Sequence, residues 1–556
     1  PPPPPPISKH PPPTHNNTPR LSSAASDVYK RQDEDGNFSD QIQPTPWLPQ
    51  PDNIENFFET GVTSTFNVGL TGGGEDGNFR LSYTRLDNDG ILPNTNLDRN
   101  TLALSANYNL TDRIRVNTSI NYINSGSDNR PNNSYGTENI MYLWVWFGRQ
   151  IPMASLRDYW QPGMEGIQQY NYNYNWHDNP YFTMYENTNG FDKDRIIGNV
   201  SLTYDITDKL SLMLRSGTDL FNELRVGKRA FSTQRFANGQ YREDDIYYKE
   251  VNSDFLLTYD TELNADWDLK ISAGGQRRDV TERYNRTSAN QLSVPEVYNF
   301  GNSRIPLATT QFDSEKRVNS LYGFVNLAYK NMIFLDLTGR NDWSSTLPED
   351  NNSYFYPSVS VSGILSDIFQ VPSSSALSFA KLRVGWAQVG NDTDPYRLFN
   401  IFEFQQPFGT TQMVSESGTI NNSELKPEEQ TSFEVGTDVR FFNGRLGLDF
   451  TWYTTTSKNQ ILQLPLDITS GYASRIINAG EIKNQGIEVT LNATPIMLSN
   501  GFQWDLDINY TRNRSEVVEL IDDLETYQIA NNYVQVLAKV GGRMGDIYGT
   551  GFEEVQ

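Results

Sequence analysis

The chain has 556 residues, a formal net charge of -23 and a mean hydropathy of -0.60. It is rich in aromatic residues, with 30 Tyr, 29 Phe and 10 Trp, yet no stretch approaches the roughly 20 apolar residues that a membrane-spanning helix needs. The absence of cysteine excludes a disulfide scaffold and a thiolate nucleophile, and the acidic balance argues against nucleic acid as a partner. These features favour β-structure in which apolar and polar residues alternate.

Residues 1–32 differ in composition from the rest of the chain. They hold ten of the 29 prolines and two of the three histidines, and they lack the apolar segment of a signal peptide. The end of this segment resembles translated sequencing-adaptor sequence, so we interpret residues 1–32 as a non-native or disordered leader. A proline-rich linker is the alternative. Residues 33–556 are expected to form one partial barrel domain.

Beyond the leader, the chain repeats one alternating pattern. Examples run from Ile114 to Tyr122, from Phe433 to Phe441, from Leu446 to Trp452, from Ile487 to Leu491 and from Trp504 to Tyr510. In each example, apolar residues alternate with polar ones, as expected for a β-strand with one apolar face and one polar face. We count about sixteen such strands, most of them about ten residues long, which is the length that a tilted membrane-spanning strand needs.

Short and long connections alternate between these strands. Tight turns are predicted at Gly73–Gly77, Leu110–Asp112, Ile206–Asp208, Thr261–Ala265, Lys330–Asn331 and Asn443–Gly444. Long connections are predicted at Asn88–Arg99, Ser125–Asp194, Phe221–Asp244, Arg278–Ser314, Asn391–Glu429 and Ser457–Glu481. This alternation is typical of an outer-membrane β-barrel, which has tight periplasmic turns and long outer loops.

Tyrosines recur at one position of the predicted hairpins. Tyr108, Tyr204, Tyr259 and Tyr329 each stand just before a short turn. This placement predicts an aromatic girdle at one membrane interface. The general preference of tyrosine for strands is the alternative explanation.

We therefore predict an all-β fold, an antiparallel transmembrane β-barrel in the outer membrane of a Gram-negative cell. An open barrel would leave unpaired strand edges in lipid, and the sequence ends at Gln556 without an aromatic-ended closing strand. We therefore expect an incomplete barrel, with about sixteen strands of a larger one. The polar strand faces are expected to line a wet interior, because charges are costly in lipid.

Six segments carry a family resemblance through their order and spacing. They are Leu70–Leu92, Gly339–Pro348, Tyr354–Asp367, Lys381–Asp392, Leu425–Leu462 and Asn478–Val489. Together they resemble the barrel of SusC/RagA proteins, a family of TonB-dependent receptors, from about Asp33 to the C-terminus. The family's plug, its TonB box and its last strands have no counterpart here, so we expect a fragment.

The resemblance implies TonB-dependent uptake of oligosaccharides, or of peptides, through a plugged barrel. It also implies three partners: a SusD-like surface lipoprotein over the outer mouth, the TonB complex acting through the plug, and outer-membrane lipid. A passive porin or a structural outer-membrane β-barrel is the alternative, because the alternating pattern alone supports only a barrel.

The longest predicted loop is the candidate for ligand binding. Its segments Asp158–Gly166 and Gln168–Tyr181 interleave aromatic rings with amides, a combination that suits a sugar because rings stack on its apolar face and amides bind its hydroxyls. The candidate residues are Trp160, Tyr170, Tyr172, Tyr174, Trp176 and His177. The alternative is that these side chains pack within the loop or against the lipoprotein. The same loop contains Met141–Gln150, of which Met141–Trp146 could instead be an interfacial segment or a short buried helix.

The sequence gives no support for catalysis. Outside the leader, His177 is the only histidine, which leaves almost no material for a Ser-His-Asp triad or a multi-histidine metal site. We expect no enzyme activity, no metal and no cofactor. Five acidic residues invite a metal or catalytic interpretation, but a wet barrel interior explains them better. They are Asp438, Asp449, Glu488, Asp505 and Asp507.

Overall fold

The computed structural model describes residues 48–136, 138–372, 375–521, 524–531 and 534–551. The predicted leader, residues 1–32, lies outside these ranges. The strands of the described ranges are β1 (Val62–Gly74), β2 (Gly77–Asp89), β3 (Asn96–Thr111), β4 (Ile114–Ser127), β5 (Asn189–Asp205), β6 (Leu210–Thr233), β7 (Phe236–Asn264), β8 (Trp267–Ala289), β9 (Ala308–Tyr329), β10 (Ile333–Ser344), β11 (Ser353–Ile364), β12 (Leu377–Asn391), β13 (Phe402–Phe408), β14 (Thr411–Glu416), β15 (Thr419–Ile420), β16 (Glu428–Phe441), β17 (Leu446–Pro465), β18 (Ser474–Met497), β19 (Gln503–Glu519), β20 (Thr526–Asn531), β21 (Gln535–Lys539) and β22 (Met544–Tyr548).

Helices are few and short. The α-helices are α1 (Ile140–Trp146), α2 (Pro180–Glu186) and α3 (Leu365–Ile368), and the 3-10 turns are Glu55–Phe57, Met153–Leu156, Phe300–Asn302 and Ile468–Ser470. Within the described ranges, none of the helices has the length and apolar character needed to cross a membrane.

Sixteen strands form one antiparallel meander. Each strand from β1 to β12 pairs with the next along the chain. Strand β12 then pairs with β16, and the order continues to β19. The predicted antiparallel barrel of about sixteen strands is therefore confirmed. No pairing joins β1 to β19 among the described residues, so the sheet is not closed.

The sheet has one apolar face and one polar face. Directly paired residues share a face, and one row crosses Thr437, Phe450, Val489 and Tyr510. Tyr510 is 51% exposed, as expected for a lipid-facing side chain. The neighbouring row on the other face contains Glu488, which is polar and faces the interior. All five acidic residues that were predicted to line the wet interior lie on this second face.

The four tyrosines next to short turns lie on the lipid-facing side. Tyr108, Tyr204 and Tyr259 are 52%, 40% and 42% exposed. Tyr329 pairs with Trp267, and the ring centroids of these two residues are 4.7 Å apart. This arrangement agrees with the predicted girdle, because amphipathic rings suit the headgroup level of a membrane.

Several strands are much longer than predicted. The predicted loop Phe221–Asp244 was wrong: β6 continues to Thr233, β7 begins at Phe236, and the two strands remain paired throughout. Strand β7 has 29 residues, whereas about ten suffice to cross a membrane. The extra length projects on the side of the long connections. The sequence hides this extra length because a strand beyond the membrane needs no lipid-facing apolar side, and its backbone hydrogen bonds are supplied by its neighbours.

Candidate ligand-binding site

The connection between β4 and β5 folds into a compact unit, called here the outer loop (residues 128–188). Its hydrophobic core also takes in residues from elsewhere in the chain. The buried core residues are Phe57, Leu92, Ile140, Leu143, Phe147, Ile151, Met153, Leu156, Tyr181 and Met184. Because this core is built from side chains that neighbour the candidate residues, the positions of those residues are fixed by packing.

Two asparagines start the helices of the outer loop. The Asn139 side chain accepts a hydrogen bond from the backbone N–H of Met141 at the start of α1. The Asn179 side chain accepts from the backbone N–H groups of Tyr181 and Phe182 at the start of α2, where Pro180 supplies a fixed φ. These caps satisfy backbone donors that a helix start would otherwise leave unpaired.

The segment before β1 is docked on the outer loop. Asn53 is 1% exposed, and its side-chain amide donates to the carbonyls of Gly148 and Ile151, both at 3.0 Å. The Phe57 ring lies 4.9 Å from the rings of Trp144 and Tyr181. This segment therefore packs as part of the outer-loop core.

A buried carboxylate joins the outer loop to the β6–β7 hairpin. Asp178 is fully buried, and its Oδ1 accepts from the side chain of Gln169 at 2.8 Å and from the backbone N–H of Gln234 at 2.9 Å. Its Oδ2 has no hydrogen-bond partner among the described residues. Burial raises the pKa of Asp178 to about 7, although the two hydrogen bonds oppose the shift.

The stability of the outer loop is therefore expected to depend on pH. The pKa of Asp178 rises from an ordinary value of 3.8 to about 7 on folding, so folding takes up a proton between these values. The stability that protonated Asp178 adds to the folded outer loop is fully present below about pH 4, and it is lost as the pH rises through about 7. In wild type, Asp178 should change the free energy of unfolding of the outer loop by up to about 4 kcal/mol across this pH range. Asp178→Asn should abolish that change. The measurement is hydrogen-exchange protection of residues 128–188 at pH 5 and pH 8.

Two other groups also affect how the stability of the wild-type outer loop changes with pH. Burial raises the pKa of Glu186, which acts in the same direction, and burial lowers the pKa of His177, which acts in the opposite one. Glu186 and His177 are present in both proteins, so the difference in pH dependence between Asp178→Asn and wild type reports the effect of Asp178 alone. Asp158→Asn is the matched control, because Asp158 is exposed in the same loop. An Asp178→Asn variant with the wild-type pH slope would contradict the assignment.

The six candidate residues divide into a packed group and an exposed group. Tyr170 and His177 are both 6% exposed. Trp160 is half-buried against the ring of Phe182, with centroids 5.2 Å apart. Tyr172 is half-buried, and its hydroxyl accepts from the N–H of Gly148 and donates to the carbonyl of Trp146. Two residues face solvent, Tyr174 at 41% and Trp176 at 69% exposure.

Three aromatic residues that the sequence analysis did not single out extend the exposed group. The rings of Tyr135 and Tyr142 are 4.6 Å apart, and their hydroxyls are 3.1 Å apart. Tyr142 also lies 6.4 Å from Trp146 and 5.8 Å from the buried His177. Tyr135 and Trp146 are 70% and 60% exposed. We call Tyr135, Tyr142 and Trp146 the aromatic face; Trp176 is exposed in the same loop and precedes the buried His177 in sequence.

Helix α1 explains how the aromatic face arises. Ile140 and Leu143 are buried in the loop core, whereas Val145 and Trp146 are exposed. The segment predicted as interfacial or as a short buried helix is therefore a helix with only one face buried. The detectable signal was the spacing of Tyr142 and Trp146, because residues four apart share one side of a helix.

A second concave region lies on the interior wall of the barrel. It has a volume of about 590 Å³ and is lined by Met213, Arg215, Asp254, Leu256, Gln276, Tyr322, Phe324, Thr338, Gly339, Arg340, Tyr356, Ser358, Ala387, Gln388 and Val389. Arg340 donates to Gln276 at 2.9 Å, to Ser320 at 2.7 Å and to Asp342 at 2.7 Å. Its charge is neutralised within the wall, so the cavity presents aromatic and hydroxyl groups without an isolated charge.

Metal-binding geometry is not found in the described ranges, where no group of three or more His, Asp or Glu side chains could hold an ion. Four of the five acidic residues that were predicted to line the interior, Asp438, Asp449, Asp505 and Asp507, bond to other side chains. Asp449 accepts two hydrogen bonds from Arg383 at 2.7 and 2.9 Å, and Asp438 pairs with Arg440 at 2.9 Å. Pairing of this kind stabilises charges in a wet interior.

The long antiparallel meander, its apolar outer face and its polar inner face define a β-barrel of the outer membrane. The family model for "TonB dependent receptor-like, beta-barrel" matches residues 146–546. The chain therefore belongs to the TonB-dependent receptor β-barrel family.

Similar proteins place the chain with the SusC/RagA type of TonB-dependent receptors. TonB-dependent receptor P3 of Formosa agariphila is 24% identical over 519 residues, which cover 90% of this chain and 51% of the relative. TonB-dependent receptor SusC of Bacteroides thetaiotaomicron is 24% identical over 506 residues, 86% of this chain and 50% of the relative. The chain thus spans about half the length of these curated relatives.

Solved structures give the same fold. The structure described as the RagAB peptide transporter matches with a TM-score of 0.77 and 20% identity, covering 93% of this chain and 57% of the matched chain. The siderophore receptor PirA of Acinetobacter baumannii matches with a TM-score of 0.50 and 13% identity over 88% of this chain. The resemblance to SusC/RagA proteins is confirmed.

Proposed function

We propose that the chain is the barrel of an outer-membrane importer that takes up oligosaccharides in a TonB-dependent manner and has no enzymatic activity. The observation that carries the proposal is the aromatic face, a group of exposed rings on a rigid loop on the side of the long connections. Rings of this kind stack on the apolar faces of sugars, and the neighbouring amides of Asn173 and Asn175 suit sugar hydroxyls. The interior cavity offers similar aromatic and hydroxyl surface along the path through the barrel.

Peptides are the second candidate substrate class. The matched RagAB structure is described as a peptide transporter, and aromatic rings also accept peptide side chains. The oligosaccharide proposal takes precedence because amides and tyrosines dominate the candidate loop. The six residues Trp160, Tyr170, Tyr172, Tyr174, Trp176 and His177 remain the predicted site, with the exposed Trp176 contacting ligand and the buried members holding the loop in shape.

The proposed partners follow from the family resemblance. A SusD-like lipoprotein would cover the outer mouth, and the TonB complex would act through a plug. The projecting strands β6 to β9 offer a tall wall beside the outer loop on which such a lid could rest. Energy-dependent uptake separates this proposal from a passive porin: collapse of the proton gradient should stop uptake by an importer and leave diffusion through a porin unchanged.

The test replaces Trp146 and Trp176 with Ala in the full-length protein in its native cells. Uptake of fluorescent oligosaccharides is expected to fall about tenfold at limiting concentration, because two stacking rings are lost. Phe404→Ala is the matched control, because Phe404 is 81% exposed on a separate outer hairpin, β13–β14.

The outcomes distinguish the substrate classes. Loss of oligosaccharide uptake with normal peptide uptake supports the proposal. Loss of peptide uptake alone would move the assignment to peptides. Normal uptake of both classes in the double variant would contradict the aromatic face as the binding site.

A further inference from the structure

A group of charged side chains lies on the interior face of β5 and β6, two strands that are paired along both edges. Lys193 lies opposite Glu223, and paired residues share a face. Arg225 lies on the same side of β6 as Arg215, which lines the interior cavity. Glu223 is more than ten residues beyond Leu210, where β6 begins, whereas about ten residues suffice to cross a membrane. The group therefore lies at the outer mouth of the barrel.

Glu223 is at the centre of this group. Its carboxylate lies 2.6 Å from Arg225, 3.3 Å from Lys193 and 3.7 Å from Arg130. Arg130 belongs to the outer loop, and its backbone N–H donates to the carbonyl of Asn189 on β5 at 2.9 Å. We call Arg130, Lys193 and Arg225 the basic cluster. One carboxylate is therefore shared by three positive charges.

The three cations are open to solvent, whereas the carboxylate is not. The side chains of Arg130, Lys193 and Arg225 are 40%, 23% and 39% exposed, and that of Glu223 is 5% exposed. Among the residues that the structure describes, Glu223 is the one carboxylate within ion-pair distance of the basic cluster. Burial, and next the positive charge of Arg225, lower the pKa of Arg130, because a nearby like charge disfavours the protonated form. The basic cluster can therefore accept a further negative charge from solution.

The surrounding charges do not cancel this excess. At the same height, the interior face of β5 to β8 carries four other basic residues and four other acidic residues, which are Arg195, Arg242, Arg278 and Arg286, and Asp219, Asp244, Glu250 and Glu282. Arg229, higher on β6, pairs with Glu138 of the outer loop at 2.6 Å. The basic cluster with Glu223 therefore keeps a net positive charge, in a chain whose overall charge is -23.

Aromatic rings hold two of the cations in place. Lys193 Nζ lies 3.6 Å from the centroid of the Phe221 ring, and the Arg130 guanidinium lies 4.6 Å from the centroid of Phe191. The Phe221 ring is in turn stacked with Tyr248, with centroids 5.2 Å apart. Cation–π contacts of this kind restrict long side chains, so an anion would bind to cations that are already positioned and would lose less entropy on binding.

We propose that the basic cluster binds a negatively charged group, a carboxylate or a sulfate, of an acidic oligosaccharide that enters the barrel. This inference rests on the proposed function and adds the charge of the imported glycan to it. Guanidinium groups bind planar oxyanions through paired, charge-assisted hydrogen bonds. Because Arg130 belongs to the outer loop and Arg225 to the barrel wall, the bound group would also join these two parts of the protein.

The test measures ligand binding by the full-length protein in detergent at low ionic strength, because salt screens exposed charges. The acidic probes are an oligogalacturonate and a sulfated galactan oligosaccharide. Each is compared with its neutral counterpart, the methyl ester of the first and the desulfated form of the second. Wild-type protein should bind at least one acidic probe about tenfold more tightly than its neutral counterpart, the usual effect of one charge-assisted hydrogen bond. Oligo-glutamate is the probe for acidic peptides.

Substitutions at the site should act in opposite directions. Arg130→Gln should weaken binding of the acidic probe about tenfold, whereas Arg130→Lys keeps the charge and should retain most of the binding. Glu223→Gln should strengthen binding, because it removes the carboxylate that competes with the ligand for the three cations. Arg304→Gln is the matched control, because Arg304 is an exposed arginine in the connection between β8 and β9, and it should bind as wild type does.

The outcomes separate this inference from the proposed function. Equal binding of acidic and neutral probes would overturn the acidic ligand and leave the oligosaccharide importer standing. Weaker binding by Glu223→Gln, or the same loss in Arg304→Gln as in Arg130→Gln, would overturn the basic cluster as the site. Tighter binding of oligo-glutamate than of every glycan would overturn both, because the site would then recognise peptides.

Discussion

Replacing Phe182 with Ala is expected to destabilise the outer loop by about 3–5 kcal/mol, the usual cost of truncating a buried Phe. The Phe182 side chain is 0% exposed. Its ring contacts Tyr159 and Trp160 edge to face, with centroids 5.9 and 5.2 Å apart. Truncation would open a cavity at the point where α2 meets the candidate ligand-binding residues. Hydrogen exchange over residues 128–188 measures the effect directly.

The barrel strands provide an internal reference for this experiment. Their hydrogen bonds run between neighbouring strands and do not involve Phe182, so their protection should be unchanged. Tyr185→Ala is the matched control, because Tyr185 lies on the same helix and is 44% exposed. Uniform loss of protection in loop and barrel would contradict the view of the outer loop as a separately packed unit.

The meander was predictable because every membrane-spanning strand obeys one local rule. Residues between Trp504 and Tyr510 must alternate, since one side faces lipid and the other faces water. The tight turns were equally visible: Asn443 and Gly444 adopt positive φ values of 56° and 86°, which Asn and Gly tolerate best. These features depend only on neighbours in sequence or on the membrane itself.

The projecting part of the barrel was not predictable in the same way. Between Phe221 and Asp244 the chain has no apolar alternation, because one face of the β6–β7 hairpin packs against polar groups of the outer loop, where Arg229 pairs with Glu138 at 2.6 Å. Its strand conformation comes from pairing with β5 and β8, which the local sequence does not encode. Predicting a loop there was wrong for this reason.

The division of the candidate residues also depends on distant partners. Tyr170, Tyr172 and Tyr174 alternate with Asn in one repeating sequence, yet they range from buried to exposed. Their burial is set by contacts of their neighbours, such as the hydrogen bond from the side chain of Gln169 to the carbonyl of Ser232 at 2.8 Å. Such contacts join residues 63 positions apart, so alternation alone cannot identify which rings reach a ligand.

The second large effect is expected from charge on the lipid-facing side of β18. Leu491 pairs with Leu448 and Ile508 on that side and lies near the middle of the apolar belt. Leu491→Arg should lower the free energy of unfolding in lipid vesicles by about 2–4 kcal/mol, because an arginine at the membrane midplane must be desolvated. The neighbouring Thr490 points to the interior and pairs with Asp449, so Thr490→Arg would meet an acidic partner in water.

The comparison of these two variants is the most direct test of the membrane-spanning assignment. The measurement is the free energy of unfolding of wild type, Leu491→Arg and Thr490→Arg in vesicles of one composition, using the full-length protein. The account predicts a loss of about 2–4 kcal/mol for Leu491→Arg and a change below about 1 kcal/mol for Thr490→Arg. Equal effects, or a larger loss for Thr490→Arg, would contradict a barrel wall whose alternating residues face lipid and a wet interior.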